Sequence, residues 1–190
     1  MIVKIYWVLK TVFYRFLLKN IGWNSYIGSI VFLLGGKNII ISNKVRIFPG
    51  LRMETHNGGK IIIEEDVSIG QNMHITSSCL DLKIGKHTTI SGNVFITNID
   101  HEYREIAKHI LKQPMIVKNT QIGENCFIGY GAAIQAGTIL GQQCIVGANS
   151  VVRGSFADYS VIVGAPAKVI KRYCFETGTW RKVNSQGAFI

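Results

Sequence analysis

The sequence predicts an all-β fold, a parallel β-helix built from hexapeptide repeats. Three observations support this: an aliphatic residue recurs every six residues, glycine often follows it directly, and a small residue often comes four positions later. Neither a helical period of 3.6 nor a simple alternating strand produces a period of six, whereas stacked six-residue units do. The repeat occupies seventeen positions, of which all but Asn57 are aliphatic: Ile39, Val45, Leu51, Asn57, Ile63, Ile69, Ile75, then Ile84, Ile90, Ile96, then Ile116, Ile122, Ile128, Ile134, Leu140, Val146 and Val152.

Each hexapeptide of such a fold is a short strand followed by a corner, and three of them form one coil of about 18 residues. The coils stack at the sheet spacing of about 4.8 Å, with the aliphatic and the small residue both pointing inward. Cys126 and Cys144 occupy the small inward position in successive coils. We therefore expect these two residues to be buried in the core, close enough to each other to meet the Cα limits of a disulfide.

Residues 1–38 precede the repeat and are predicted to form an N-terminal helical segment. Their apolar sequence is interrupted by Lys4, Lys10, Arg15 and Lys19, so no run reaches the roughly 18 apolar residues of a membrane span. In a helix, most of the polar residues collect on one side and the remaining surface is apolar. Two interpretations remain open: a helix lying on an anionic membrane, or a helix capping the open end of the β-helix.

The repeat predicts a β-helix domain over residues 39–166, followed by a short C-terminal tail over residues 167–190. The chain is 47% hydrophobic and carries a net charge of +10. Such an excess attracts anionic groups, such as a phosphorylated cofactor or acidic lipid. The sequence has no known nucleic-acid-binding module, and its four cysteines have no CxxC spacing, so we expect neither nucleic-acid binding nor a metal site.

The repeat is interrupted once, after His101. Residues 102–115, EYREIAKHILKQPM, do not follow the six-residue pattern, which resumes at Ile116. We expect them to form a loop that is extruded from the β-helix between two strands. Insertions into a repeat fold collect on one face, which is often the binding face. His101 therefore lies at the root of a loop that is expected to flank a functional site.

The stretches IGENCFIGYGAAI, IVGANSVV and VGAPAKVI resemble the closing coils of the hexapeptide-repeat acyltransferases. Within the family, these stretches are similar to those of the galactoside and maltose O-acetyltransferases and of the surface-polysaccharide O-acetyltransferases. The resemblance covers residues 39–173. It implies a left-handed β-helix, although crossovers between parallel strands are normally right-handed. It also implies a homotrimer with active sites between subunits, and acetyl-CoA as the donor.

The segment TNIDHEY resembles the family's catalytic segment, and the resemblance implies that His101 is the catalytic base. A sugar hydroxyl is a poor nucleophile, and an imidazole can remove its proton as it attacks a thioester. Asp100 precedes His101, as it does in several polysaccharide-modifying relatives. Asp100 or a backbone carbonyl is expected to fix the tautomer of the imidazole.

The resemblance also implies residues for donor and acceptor binding. Five positions match cofactor-contacting places of the family: Tyr130, Ala148, Arg153, Lys168 and Lys171. Thr76 stands where the galactoside enzymes have a substrate-binding asparagine, so a different acceptor is expected. His56 and His74 are 18 residues apart and are expected to stack one coil apart. They either line an acceptor cleft or are two surface histidines.

These observations predict an acetyl-CoA-dependent O-acetyltransferase that acts on a sugar or glycan precursor in surface-polysaccharide biosynthesis. The expected location is cytoplasmic, with peripheral attachment to the inner face of the cell membrane as an alternative. Two other functions remain open: N-acetylation of an amino sugar, and a catalytically inactive trimeric scaffold. The presence of His101 at the loop root favours an enzyme over the scaffold.

Overall fold

The computed structural model describes residues 2–184 and 186–190, with side chains from residue 5 onward. It is an all-β structure, a left-handed parallel β-helix preceded by a helix, α1 (Ile2–Leu17). Six complete coils and part of a seventh are stacked along one axis. The strands in chain order are β1 (Asn20–Ile21), β2 (Tyr26–Ile27), β3 (Ile30–Leu34), β4 (Ile39–Ile41), β5 (Arg46–Ile47), β6 (Leu51–His56), β7 (Lys60–Ile63), β8 (Ser68–Ile69), β9 (His74–Ser78), β10 (Asp81–Ile84), β11 (Thr89–Ile90), β12 (Phe95–Thr97), β13 (Ile99–His101), β14 (Met115–Val117), β15 (Gln121–Ile122), β16 (Phe127–Ile128), β17 (Ala133–Ile134), β18 (Ile139–Leu140), β19 (Ile145–Val146), β20 (Val151–Val152), β21 (Ser155–Phe156), β22 (Ser160–Gly164), β23 (Ala167–Cys174) and β24 (Thr179–Lys182).

Each complete coil contributes one strand to each of three sheets. The first sheet has the order β1-β4-β7-β10-β15-β18-β21, and the third has the order β3-β6-β9-β12-β17-β20. The second sheet begins β2-β5-β8-β11-β16-β19-β22 and is extended by β23 and β24. The parallel register places aliphatic residues directly above one another, as in the pairing of Ile69 with Ile90 and of Ile90 with Ile128. These stacked side chains are buried and form the core.

The β-helix begins earlier than predicted. β1, β2 and β3 lie within residues 1–38, which were assigned to a separate segment, and they form a complete first coil. Ile21 and Ile27 are buried and Leu33 packs against the core. These three residues continue the six-residue period backward from Ile39, so the sequence contained the signal. The segment outside the β-helix is therefore α1 with its short connection.

One face of α1 packs on the first coil. The Thr11 Oγ1 accepts a hydrogen bond from the backbone N–H of Ile27 at 2.8 Å, and the Tyr14 hydroxyl accepts one from the N–H of Ile30 at 3.2 Å. Leu18 is buried beside them. The helix therefore satisfies strand donors at the open end of the solenoid, as the capping interpretation requires. None of the described helices has the length and the hydrophobicity that a bilayer-spanning helix needs.

The extruded loop starts before residue 102, because β13 and β14 form an antiparallel hairpin at its base. In this hairpin Asp100 pairs with Ile116 and His101 with Met115. Ile116 therefore does not resume the hexapeptide repeat, and the first core residue after the loop is Ile122. The buried Asn98 holds the root of the hairpin, since its side-chain oxygen accepts the N–H of Ser78 at 2.8 Å.

The C-terminal tail is ordered by strand pairing. β23 runs antiparallel to β22, and β24 runs antiparallel to β23, so residues 167–182 extend the second sheet. Tyr173 packs against Tyr159, Phe175 and Trp180 with ring centroids 5.1 to 6.3 Å apart. This aromatic cluster attaches the tail to the last coils.

Cys126 and Cys144 are buried, as the repeat predicted, and both are free thiols. Their thiols donate hydrogen bonds to the backbone carbonyls of Gly141 and Ala157, at 3.2 and 3.3 Å. Contact with the Cys144 sulfur and burial raise the pKa of the Cys126 thiol. Because the thiolate is the reactive form, Cys126 is an inert core residue.

Candidate active site

A cavity of about 540 Å³ lies on the outer side of the third sheet, next to the root of the extruded loop. Six residues that the sequence analysis offered for catalysis or ligand binding line it: His56, His74, Thr76, Asp100, His101 and Arg153. They come from β6, from β9, from β13 and from the corner after β20. Strands of the third sheet place alternate side chains outward, so His74 and Thr76 face the cavity while Ile75 between them is buried.

His101 ends β13, and its side chain is exposed at the cavity. Its backbone N–H donates to the Asp100 Oδ1 at 3.0 Å. The imidazole ring forms no hydrogen bond with any other residue that the structure describes. The hairpin holds the backbone of His101, and its ring is available to a ligand.

Asp100 is bound on both oxygens. Besides the His101 N–H on Oδ1, its Oδ2 accepts a hydrogen bond from the Arg153 guanidinium. Burial alone would raise the pKa of Asp100, but the His101 N–H, Arg153 and Lys118 outweigh it and lower the pKa. The carboxylate is therefore ionised at neutral pH. Its contacts attach the loop root to the corner after β20 and do not include the imidazole of His101.

A buried carboxylate that the sequence analysis did not single out forms part of the same cavity. Glu54 is 9% exposed and accepts a hydrogen bond from the Arg52 Nε at 2.5 Å. Its oxygens also lie 3.4 Å from the His56 Nε2 and 3.2 Å from the His74 Nε2. Burial alone would raise the pKa of Glu54, but the hydrogen bond and charge of Arg52, with smaller contributions from both histidines, lower it.

The two histidines do not stack as predicted. The coil between β6 and β9 is longer than 18 residues, so Arg52 pairs with His74 and His56 pairs with Ser78. His56 and His74 are instead linked through Glu54. The alternation in β6 contained a signal for this cluster, because residues 52, 54 and 56 are polar at the period of two that places side chains on one face.

The protonation of His74 follows from its neighbours. An ionised carboxylate only accepts hydrogen bonds, so we assign the proton of the imidazole to Nε2, which faces Glu54. Burial and the charge of Arg52 lower the pKa of His74, although Glu54 opposes them, so the ring is neutral at pH 7. The Thr76 Oγ1 lies 3.0 Å from the same Nε2, so the single N–H is shared between Glu54 and Thr76, which both accept from it. The hydroxyl proton of Thr76 is then free for a ligand.

Of the five residues matched to cofactor contacts, Arg153 alone lines this cavity. Tyr130 and Ala148 lie at successive corners between the second and third sheets, where the Tyr130 carbonyl accepts the N–H of Asn149 at 2.8 Å. Lys168 and Lys171 lie on β23, opposite β22. Among the residues that the structure describes, no group of three or more His, Cys, Asp and Glu side chains could hold a metal ion.

Comparison with known proteins agrees with the fold. Residues 119–154 match the family model described as bacterial transferase hexapeptide (six repeats). Over 143 residues the chain is 37% identical to the "Putative lipopolysaccharide biosynthesis O-acetyl transferase WbbJ" of Escherichia coli (strain K12). The match covers 70% of this chain and 71% of WbbJ.

Two solved structures show the same fold at lower identity. A variant of AntD, an N-acyltransferase from Bacillus cereus in complex with dTDP and coenzyme A, has a TM-score of 0.74 at 19% identity and covers 88% of this chain and 91% of that chain. The polySia-specific acetyltransferase NeuO has a TM-score of 0.54 at 20% identity, covering 80% and 77%. The extent of the WbbJ match, with the repeat and the β-helix described above, shows that this chain belongs to the hexapeptide-repeat acyltransferase family.

Proposed function

We propose that this protein transfers an acetyl group from acetyl-CoA to a hydroxyl of a sugar or glycan precursor in surface-polysaccharide biosynthesis. The observation that carries the proposal is the cavity in which an exposed histidine at the loop root faces a row of polar side chains on the third sheet. The similarity to WbbJ supports the reaction class and the biosynthetic setting.

His101 acts as the general base in this proposal. Its imidazole takes the proton of the acceptor hydroxyl as the oxygen attacks the thioester carbonyl, which forms a tetrahedral intermediate. When the carbon–sulfur bond breaks, the acetyl ester remains on the acceptor, and the imidazolium returns the proton to the leaving thiolate. Asp100 is a positioning residue, since it binds the backbone of His101 and the guanidinium of Arg153.

The polar row on the third sheet is proposed to bind the acceptor. Thr76 offers a hydroxyl proton, and Arg52 lies at the wall of the cavity with its guanidinium held by Glu54. Phe95 packs at 5.0 Å from the His74 ring and adds an apolar surface of the kind on which a sugar ring can stack. Such convergent polar groups on a partly apolar wall are typical of sites for small ligands.

The donor site is proposed to run from this cavity towards the basic residues near the end of the solenoid. Arg153, Lys168 and Lys171 supply cations for phosphate groups, and Tyr130 and Ala148 border the path of the thioester arm. AntD binds coenzyme A on the same fold, which supports an acyl-CoA donor. The second candidate function, N-acylation of an amino sugar, is favoured by the likeness to AntD, an N-acyltransferase.

A panel of acceptors tests the reaction. Full-length protein with acetyl-CoA is offered hexoses, nucleotide-linked hexoses and matched amino sugars, and release of the free thiol of coenzyme A is measured. We expect transfer to a hydroxyl, giving an ester that mild alkali cleaves. An alkali-stable amide from the amino sugars alone would establish the second candidate. A protein that binds acetyl-CoA but releases no thiol with any acceptor would support the scaffold.

We also propose a homotrimer with C3 symmetry, as the family resemblance implies. The extruded loop has apolar side chains that the single chain leaves in solvent, with Ile106 92% exposed and Leu111 73% exposed. The loop itself is held in shape by Gln113, whose side chain bonds the backbone of Glu105 and Lys108. An ordered loop with an apolar tip fits a role in contacting a second copy.

Placing charge on this loop tip is expected to dissociate the trimer. The double variant Ile106→Asp/Leu111→Asp would bury two carboxylates without partners, so light scattering should report a monomer. Lys112→Asp, next to Leu111 and exposed, is the matched control and should remain trimeric. Wild-type protein that is an active monomer in the same measurement would refute the assembly.

A further inference from the structure

The face of α1 that points away from the first coil is apolar and in solvent. Five residues at helical spacing form it, Ile5, Leu9, Val12, Phe13 and Phe16, and each is between 54% and 74% exposed. We call this set the outer face of α1. A helix on a globular protein normally directs its apolar stripe at the core, and here a second stripe faces outward. An apolar patch of this kind marks an interaction site.

The charge around this face has one sign. The first 53 residues contain eight lysines and arginines and no aspartate or glutamate, while the rest of the chain contains 13 basic and 11 acidic residues. Four of the eight border α1, and none of them forms an ion pair with a described residue: Lys10, Arg15, Lys19 and Lys37. Lys44, Arg46 and Arg52 pair with acidic residues, so the described cations without an ion pair at this end are those that border α1.

The apolar outer face and the basic residues around it favour an anionic bilayer over a second copy of the chain as the binding partner. A second copy of the chain would bring the same positive end against itself, which like-charge repulsion disfavours. An anionic bilayer offers both an apolar layer for the outer face and negative headgroups for the basic rim. Trp23 lies beside this rim, 78% exposed, with the Arg15 guanidinium 5.5 Å from its ring. Tryptophan is enriched at the level of lipid headgroups.

We propose that the outer face of α1 binds the surface of an anionic phospholipid bilayer. The inner face is already held by the hydrogen bonds of Thr11 and Tyr14 to strands of the first coil. The helix therefore caps the solenoid and contacts the membrane at the same time, and the two interpretations of this segment are compatible. Because α1 is attached to the solenoid, membrane binding also fixes the orientation of the whole β-helix.

Sedimentation of full-length protein with vesicles tests the proposal. We expect binding to vesicles that contain phosphatidylglycerol and much weaker binding to pure phosphatidylcholine. Each basic side chain near an anionic surface contributes about fivefold to the binding constant, so high salt should reduce binding. The variant Leu9→Ser/Phe16→Ser should lower the partition coefficient by about tenfold or more, with an unchanged melting temperature and unchanged transfer to a soluble acceptor.

The control variant is Ile190→Ser, which removes a side chain that is 69% exposed outside α1 and should bind vesicles as the wild type does. Wild-type protein that does not sediment with anionic vesicles would overturn the proposal, as would Leu9→Ser/Phe16→Ser protein that binds them normally. A change of oligomeric state in that variant would also overturn it, because it would assign the outer face to a second copy. None of these results depends on which acceptor is acetylated.

Discussion

Replacing His101 with alanine is expected to lower kcat by about 10²–10⁴-fold, the usual contribution of a positioned general base. The ring is the one group at the loop root that faces the cavity without a hydrogen-bond partner among the described residues. Its removal leaves the hydroxyl of the acceptor without a group to take its proton. Single-turnover transfer from acetyl-CoA measures the loss directly.

The matched control for this variant is His109→Ala. His109 lies in the same loop and is exposed, but its Nδ1 accepts a hydrogen bond from the Leu111 N–H and it does not line the cavity. We expect this variant to keep full turnover. Both variants should keep the wild-type melting temperature and affinity for coenzyme A. Normal turnover by His101→Ala protein would assign the base to another residue.

Glu54→Gln is expected to lower kcat/KM by about 10–100-fold, mainly through a higher KM for the acceptor. The change preserves the shape of the side chain but removes the charge that holds Arg52, His56 and His74. Hydrogen bonds to charged groups contribute about 1.5–3 kcal/mol, and about 1.4 kcal/mol corresponds to tenfold in an equilibrium constant. Initial rates over a range of acceptor concentrations, at saturating acetyl-CoA, separate KM from kcat.

Glu64→Gln is the control for Glu54→Gln, because Glu64 pairs with Lys83 on the first sheet and does not line the cavity. If Glu54 acts through His74, combining Glu54→Gln with His74→Ala should cost little more than either change alone. An unchanged KM in Glu54→Gln protein, or fully additive effects in the double variant, would show that the cluster has no role in acceptor binding.

Glu54→Gln is also expected to change how the free energy of unfolding depends on pH. Because the pKa of Glu54 is lowered by folding, its contribution to stability is present above the unfolded carboxyl pKa of about 4.3 and is lost as pH falls through the folded pKa. The wild type should therefore exceed Glu54→Gln in stability at neutral pH, and this difference should shrink below about pH 4. Denaturant unfolding at several pH values measures both curves.

The six-residue period was sufficient to predict the β-helix from the sequence. Every sixth side chain must fill the same column of the core, so the composition of the core is repeated along the chain. Ile21, Ile27 and Leu33 belong to the first coil, so the six-residue repeat begins before Ile39. The sequence also predicted the extruded loop, because side chains that do not enter the core of the β-helix need not follow the six-residue period.

Other features of the site could not be predicted from the period, because they depend on which residues of separate strands or coils lie next to each other. The cluster around Glu54 forms because the coil from β6 to β9 is longer than the regular 18 residues, which brings residue 74 next to residue 52. The pairing of Asp100 with Arg153 joins residues separated by two coils and a loop. Ile116 was misplaced because hairpin pairing with Asp100 removed it from the repeat.

The sequence by itself determined the β-helix, the extruded loop and the histidine at its root, because each of these is set by a local departure from or agreement with the period. Only the tertiary structure decided which polar groups meet in the cavity and which face of α1 is left in solvent. Register between coils places Glu54 against His74, and the contacts of Thr11 and Tyr14 with the first coil turn Leu9 and Phe16 outward. Both results depend on how separate elements pack, and a six-residue pattern contains no information about that packing.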